Sequence, residues 1–223
     1  MVASVLLYLS LIQSAPIPEL RIYTYDSLLS KDGFLKKVIP AFEARFKCRV
    51  RAWASGDGGQ MMTRVEIDHQ TKKESADVVV GVDQNLWNRI KPFSTDWKKW
   101  RPTDFEKVWS HNRVEAGFLP IDYGFFSWII DREEAARLKI EIPKSLQDFL
   151  KPEFKRRLLL EDPRTSTPGL AFLFFTESVY KEKIWGFWKK LRTQWLTLSL
   201  GWDAAYGLFL KSEAPLVWSY TTS

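Results

Sequence analysis

Cysteine and histidine are almost missing from this chain. Cys48 is the single cysteine, so no disulfide can close within the sequence. His69 and His111 are the 2 histidines, far apart and in no ligand spacing, which argues against zinc or any resident metal. Also absent are a Walker loop, a Gly-x-Ser-x-Gly elbow and a dinucleotide fingerprint. Ser166 has no histidine near it in sequence to serve as a base. With those routes closed, an enzyme is the less favoured reading, and no cofactor is expected. The net charge of +6 suits an anionic ligand. The paired basic residues at 36–37, 72–73, 98–99, 156–157 and 189–190 sit on separate elements, so no nucleic-acid stripe forms.

The chain has 223 residues, enough for one large or two small domains with a real core. Hydrophobic residues at 45% and charged residues at 27% fit a soluble globular protein. Aromatics reach 15%, with 11 Trp, so a few can stack a flat ligand after the core has been filled. Residues 1–15 contain an uncharged apolar stretch and end Gln13-Ser14-Ala15 before Pro16, like a secretory signal. The stretch is shorter than the ~20 residues of a membrane span. The basic start of a signal is missing, since Glu19 is the first charged side chain, and a buried first strand is the competing reading.

The rest alternates between strands and helices. Strands are expected at 20–25 (LRIYTY), from Cys48 (CRVRAWA), at 76–81 (ADVVVG), over 120–131 (PIDYGFFSWIID), at RRLLLED and at 216–220. Helices are expected at 37–46, with Pro40 near a first turn, and at 60–70. Further helices are expected after an Asp83 cap through Ile90, at 132–138, at SLQDFL behind a Ser145 cap, and at 168–180, 184–191 and 203–210. Residues 93–114 read as loop, with Trp97, Trp100 and Trp109. The βαβα order implies an α/β fold with a largely parallel sheet.

The run EDPRTSTPGLAFLFF (161–175) carries the sharpest local signal. Thr167 suits an N-cap and Pro168 the first helical position. Ser166, Thr167 and the free N–H groups would then face the crevice at the strand ends, where such starts hold anions. Ordinary capping explains the same residues without a ligand.

Several stretches occur in order: YTYDS (23–27), DG (57–58), ADVVVGVDQNL (76–86), PIDYGFFSWIID (120–131), EDPRTSTPGL (161–170) and GWDAAYGLFLKSEAPLVWSYTTS (201–223). Together they resemble the thiamine-binding periplasmic proteins of bacterial ABC importers, within the iron(III)- and thiamine-type solute-binding superfamily. The resemblance implies a two-lobed type II periplasmic-binding-protein fold, with lobe 1 over 16–121 and lobe 2 over 122–223. It implies capture of thiamine, thiamine monophosphate and thiamine diphosphate in the cleft, and delivery to a membrane permease. By motif match the ligand contacts are Asp57, Gly58, Ser166, Thr167, Trp202, Tyr220, Thr221, Thr222 and Ser223, with Tyr25 and Asp26 at the lobe-one wall.

Trp202 and Tyr220 can offer π faces to the thiazolium, and Asp26 or Asp57 can pair with it. As plain structure, Trp202 is a packing residue, Asp26 and Asp57 are turn or cap residues, and Asp122 is a hinge. The family pattern carries a tryptophan soon after YTYDS, whereas here Phe34 is the only nearby aromatic. The family pattern also continues past SYTTS, so a second lobe and return crossover left incomplete at Ser223 are expected. On that expectation the chain as written does not transport thiamine. The competing functions are a non-functional fragment and a binding protein for another solute such as ferric iron, which the lack of a tyrosine pair disfavours.

Overall fold

The computed structural model describes residues 16–73, 75–95, 104 and 119–223. The signal-like segment, Trp97, Trp100, Trp109 and His111 lie outside the described residues.

The first sheet is parallel, in the order β2-β1-β3, from Glu19–Thr24 (β1), Arg49–Ala54 (β2) and Val78–Val79 (β3). Alternation along β1 sends Ile22 to one face, against Leu28 and Leu35, and Tyr23 to the other, against Met61, Met62 and Val65. Three helices cover these faces: Asp26–Leu29 (α1), Phe34–Phe46 (α2) and Gly58–Gln70 (α3). α2 starts three residues before the expected 37, so Pro40 falls inside the helix rather than in its first turn. Pro40 is exposed, and water can take the carbonyl its ring leaves unbonded. The apolar ADVVVG run supplies only the two-residue β3. Asp83 caps the turn Gln84–Leu86, which leads into Trp87–Ile90 (α4), as its sequence implies.

The second sheet runs β4-β7-β5-β6, from Phe126–Ile130 (β4), Leu158–Glu161 (β5), Trp195–Ser199 (β6) and Leu216–Tyr220 (β7). β5 lies parallel to both neighbours, and β4 is antiparallel to β7, with Trp128 opposite Trp218. The sheet is sandwiched. Leu158, Leu160, Leu216 and Trp218 enter a core with Phe154, Phe172, Phe187 and Leu191, under Thr167–Tyr180 (α6) and Ile184–Leu191 (α7). Leu159 and Val217 point the other way, to Ala205 of Trp202–Leu210 (α8). Each fully buried leucine contributes ~1.5–3 kcal/mol.

Two expectations fail here, and one strand has no counterpart among them. The long strand expected over 120–131 is confined to β4. β6 was not anticipated from the sequence at all. SLQDFL forms a 3₁₀ turn rather than a Ser145-capped helix, because Asp148 accepts from the Lys144 and Ser145 amides and the Ser145 hydroxyl. A short helix, Arg132–Arg137 (α5), follows β4 as expected.

Candidate functional site

A cleft of about 2060 Å³ opens between the two sheets. Among the described residues that line it are six aspartates, Asp26, Asp57, Asp77, Asp83, Asp122 and Asp203, together with His69 and no lysine or arginine. Asp77 is already paired with Arg21 at 3.0 Å. A cleft lined by one sign of charge focuses its field on an entering ligand of the opposite sign.

Aromatic rings form much of the remaining wall. Trp202 starts α8, and Tyr206, one turn on, stacks beneath it with ring centroids 5.0 Å apart at 12°. Tyr220, at the end of β7, meets Trp202 edge-on at 6.4 Å and 66°. From the first sheet comes Tyr25, whose ring lies over Gly81. That glycine has φ +99, and a Cβ there would run into the ring. Phe34 is exposed and does not line the cleft.

The local electrostatics record the crowding of acids. Burial, then the carboxylates of Asp122, Asp57 and Asp203, push the Tyr25 phenol up to about 12. Burial, then Asp57, Tyr25, Asp83 and Glu161, raise Tyr220 further still. Asp203 is raised by burial and by Asp26 and Asp57. Burial also raises Asp83, against the hydrogen bonds it accepts from Asn85 and Thr167. Beneath the cleft, Glu161 is 1% exposed, and its carboxyl has no hydrogen-bond partner among the described residues. Burial, and secondarily Asp57, hold it well above the usual carboxylate range.

Asp57 is the junction of the site. As N-cap of α3 it accepts the Gly58 amide at 2.6 Å, and Gln60 completes a capping box. Its other oxygen accepts the Ser166 hydroxyl at 2.8 Å and the Trp202 amide at 3.0 Å, both from the second-sheet side. Thr165 carbonyl receives the Gly59 and Gln60 amides. The approach needs glycine: a Cβ at Gly59 would sit 2.8 Å from Arg164 O, and one at Gly58 2.5 Å from Thr167 Oγ1.

Eight of the residues expected from sequence line the cleft together: Tyr25, Asp26, Asp57, Thr167, Trp202, Tyr220, Thr222 and Ser223. Gly58, Ser166 and Thr221 are outside the lining; Ser166 spends its hydroxyl on Asp57, and the Thr221 amide bonds Phe125 O at 2.8 Å. Asp26 accepts the Gly56 amide at 2.9 Å, a turn-holding bond. The helix start is shifted by one residue from expectation. Ser166 is the N-cap of α6 and Thr167 its first residue, because the Asp162 carbonyl takes the Ser166 amide and tightens the preceding turn. Sequence reasoning missed Asp203 and Tyr206. The four-residue spacing of Trp202 and Tyr206 on one helix was the signal for that stack. Among the described residues no group of three or more His, Cys, Asp or Glu converges to hold a metal ion. No helix among them is long and apolar enough to cross a membrane.

Residues 68–220 match the family model for bacterial extracellular solute-binding proteins. The chain is 38% identical over 205 residues to the thiamine-binding periplasmic protein of Brucella abortus biovar 1 (strain 9-941), covering 92% of this chain and 59% of that one. It is 37% identical over 221 residues to the protein of the same name from Escherichia coli (strain K12), covering 96% of this chain and 64% of that one. Among solved structures, a periplasmic thiamin binding protein superposes with a TM-score of 0.76 at 35% identity, over 93% of this chain and 63% of that one. AfuA from Actinobacillus pleuropneumoniae, with bound fructose-6-phosphate, shares the fold at a TM-score of 0.73 and 15% identity, over 91% of this chain and 63% of that one. The chain therefore spans about 60% of the length of the relatives it matches.

Proposed function

This chain belongs to the bacterial extracellular solute-binding proteins, and from that premise we propose that its cleft captures thiamine. As a member of that family it is a periplasmic binding protein of two-lobed α/β fold, not an enzyme. We place the lobe boundary between residues 121 and 122.

The observation that carries the ligand is the pairing of an aromatic wall with a lining that, among the described residues, carries six aspartates and no lysine or arginine. Thiamine joins a cationic thiazolium to a flat aminopyrimidine. Trp202 keeps one face against Tyr206 and offers the other to a flat cation, which is worth ~0.5–2 kcal/mol when desolvated. Tyr220 and Tyr25 bound the same space, and Asp26, Asp122 and Asp203 supply the compensating field. Thr167, Thr222 and Ser223 offer hydroxyls to the alcohol end. Gly58, Ser166 and Thr221 stand behind them as supports of the same binding segments.

The reading extends to thiamine monophosphate and diphosphate and to hand-over to the membrane permease of an ABC importer. The start of α6, with Ser166 and Thr167, is where an ester phosphate gains most from N–H donors and the helix dipole. Calorimetry on the purified protein tests the core of the proposal: thiamine should bind saturably and raise the melting temperature. No heat and no shift would retire it. For the esters, Thr167→Ala should weaken the phosphates more than thiamine, and equal losses remove that hydroxyl from the phosphate.

A further inference from the structure

Resting on the reading of the cleft as a site for a flat cation, we infer that Asp57 and Ser219 are positioning residues that set the plane of Trp202 before a ligand arrives, one from each side of the cleft. α8 begins at Gly201, an N-cap with no side chain to satisfy the first-turn amides. A Cβ at Gly201 would stand 3.1 Å from Asp57 Cβ, so the missing cap and the close approach are one arrangement. The acceptor comes instead from 145 residues away, as Asp57 Oδ2 takes the Trp202 amide.

The same carboxylate caps α3 and binds the hydroxyl of Ser166, the N-cap of α6. Three helix starts, and so three positive dipole ends, converge on it. Three of its acceptor positions go to protein donors from both sides of the cleft, and both bonds from the second-sheet side fall on Oδ2, so that oxygen acts as a fastener.

The far end of the indole is fixed separately. Trp202 Nε1 donates to Ser219 Oγ at 2.7 Å, and Ser219 is fully buried and bonded to Ser223 Oγ at 2.7 Å. Tyr206 closes one face. The ring is thus held at its backbone, its nitrogen and one side, and the remaining face meets the cleft. Stacking on a preset ring avoids the ordering cost of a mobile one.

The test reads Trp202 in the ligand-free protein and then in binding. Hydrogen exchange by NMR follows its backbone and indole N–H in Asp57→Ala and Ser219→Ala. Asp57→Ala should speed exchange at both sites by about tenfold or more, and Ser219→Ala should do so at the indole. Should Asp57→Ala not fold, Asp57→Asn, which keeps the volume, is read in the same way. In a double-mutant cycle, Asp57→Ala with Trp202→Ala should weaken thiamine no more than Trp202→Ala alone. Unchanged indole exchange, or additive losses of affinity, would overturn the inference, because Asp57 would then be acting on the ligand directly. A wild-type protein that ignores thiamine defeats the function proposed above, and the exchange measurements still judge the positioning of Trp202.

Discussion

Strand β5 buries all four of its residues, whereas β2 exposes four of its six. That contrast runs through the two halves of the molecule. The second sheet has apolar helices on both faces and a continuous aromatic core, in which Phe172 touches Trp128, Trp188 and Trp218. The first sheet leaves Trp53 and Val78 exposed and relies more on polar fasteners. Arg21 pairs with Asp77, the Tyr23 hydroxyl donates to Asp68 at 2.6 Å, and Asp26 holds the Gly56 turn. Apolar burial is non-directional and hydrogen bonds are not, so one half supplies stability while the other supplies a shaped, charged wall.

The contrast breaks if core truncations cost the same on both sides. Phe172→Ala should lower stability by ~3–5 kcal/mol in a chemical melt. A loss below about 1 kcal/mol would mean the aromatic core is not the main support of the second sheet. Next in size is Trp202→Ala, expected to weaken thiamine by ~1–3 kcal/mol, about tenfold to a hundredfold by calorimetry. Unchanged affinity would take Trp202 out of the site.

Glu161 is the one acid in the fully buried strand, and it sharpens the comparison through pH. Its folded pKa lies above the ordinary 4.5, so the native state binds its proton more tightly than the unfolded chain does. Stability from this group is complete below pH 4.5 and falls as pH rises from there toward the folded value. Glu161→Gln should therefore leave the melting temperature unchanged at pH 4 and raise it at pH 8. A flat difference across that range would show that Glu161 ionises freely. The smallest effect belongs to the first sheet. Trp53, 41% exposed and edge-on to Tyr23 at 5.8 Å, should cost about 1 kcal/mol or less on replacement by alanine. A loss matching that of Phe172→Ala would erase the distinction between the halves.

What the sequence made legible follows the same division. Apolar, periodic elements such as 184–191 and 216–220 were readable to the residue, because their pattern and their burial agree. β6 was missed because it leaves α7 through Thr193-Gln194, a turn without glycine or proline, closed by the Gln194 amide on Leu191 O. The membership of the cleft came from resemblance. Its internal wiring did not, since nothing local links Asp57 to Ser166 or Trp202 across more than a hundred residues. Asp83 read correctly as a cap, yet its carboxylate also meets Thr167 from the other half, a second use that only the tertiary structure brings about.

The pairing of β7 has a consequence in time. β7 sits between β4 and β5, with Phe126 opposite Tyr220 and Leu158 opposite Leu216. While the chain is being synthesised, β1, β2 and their helices can close with mostly local contacts, but β4 waits for a partner made some ninety residues later. Until β7 arrives, β4 and β5 present unpaired edges, and Trp202 lacks both Ser219 and Tyr220. The cleft is therefore completed later than the first sheet. A nascent chain should complete the cleft only once β7 has been made, and until then β4 and β5 stay open to wrong partners.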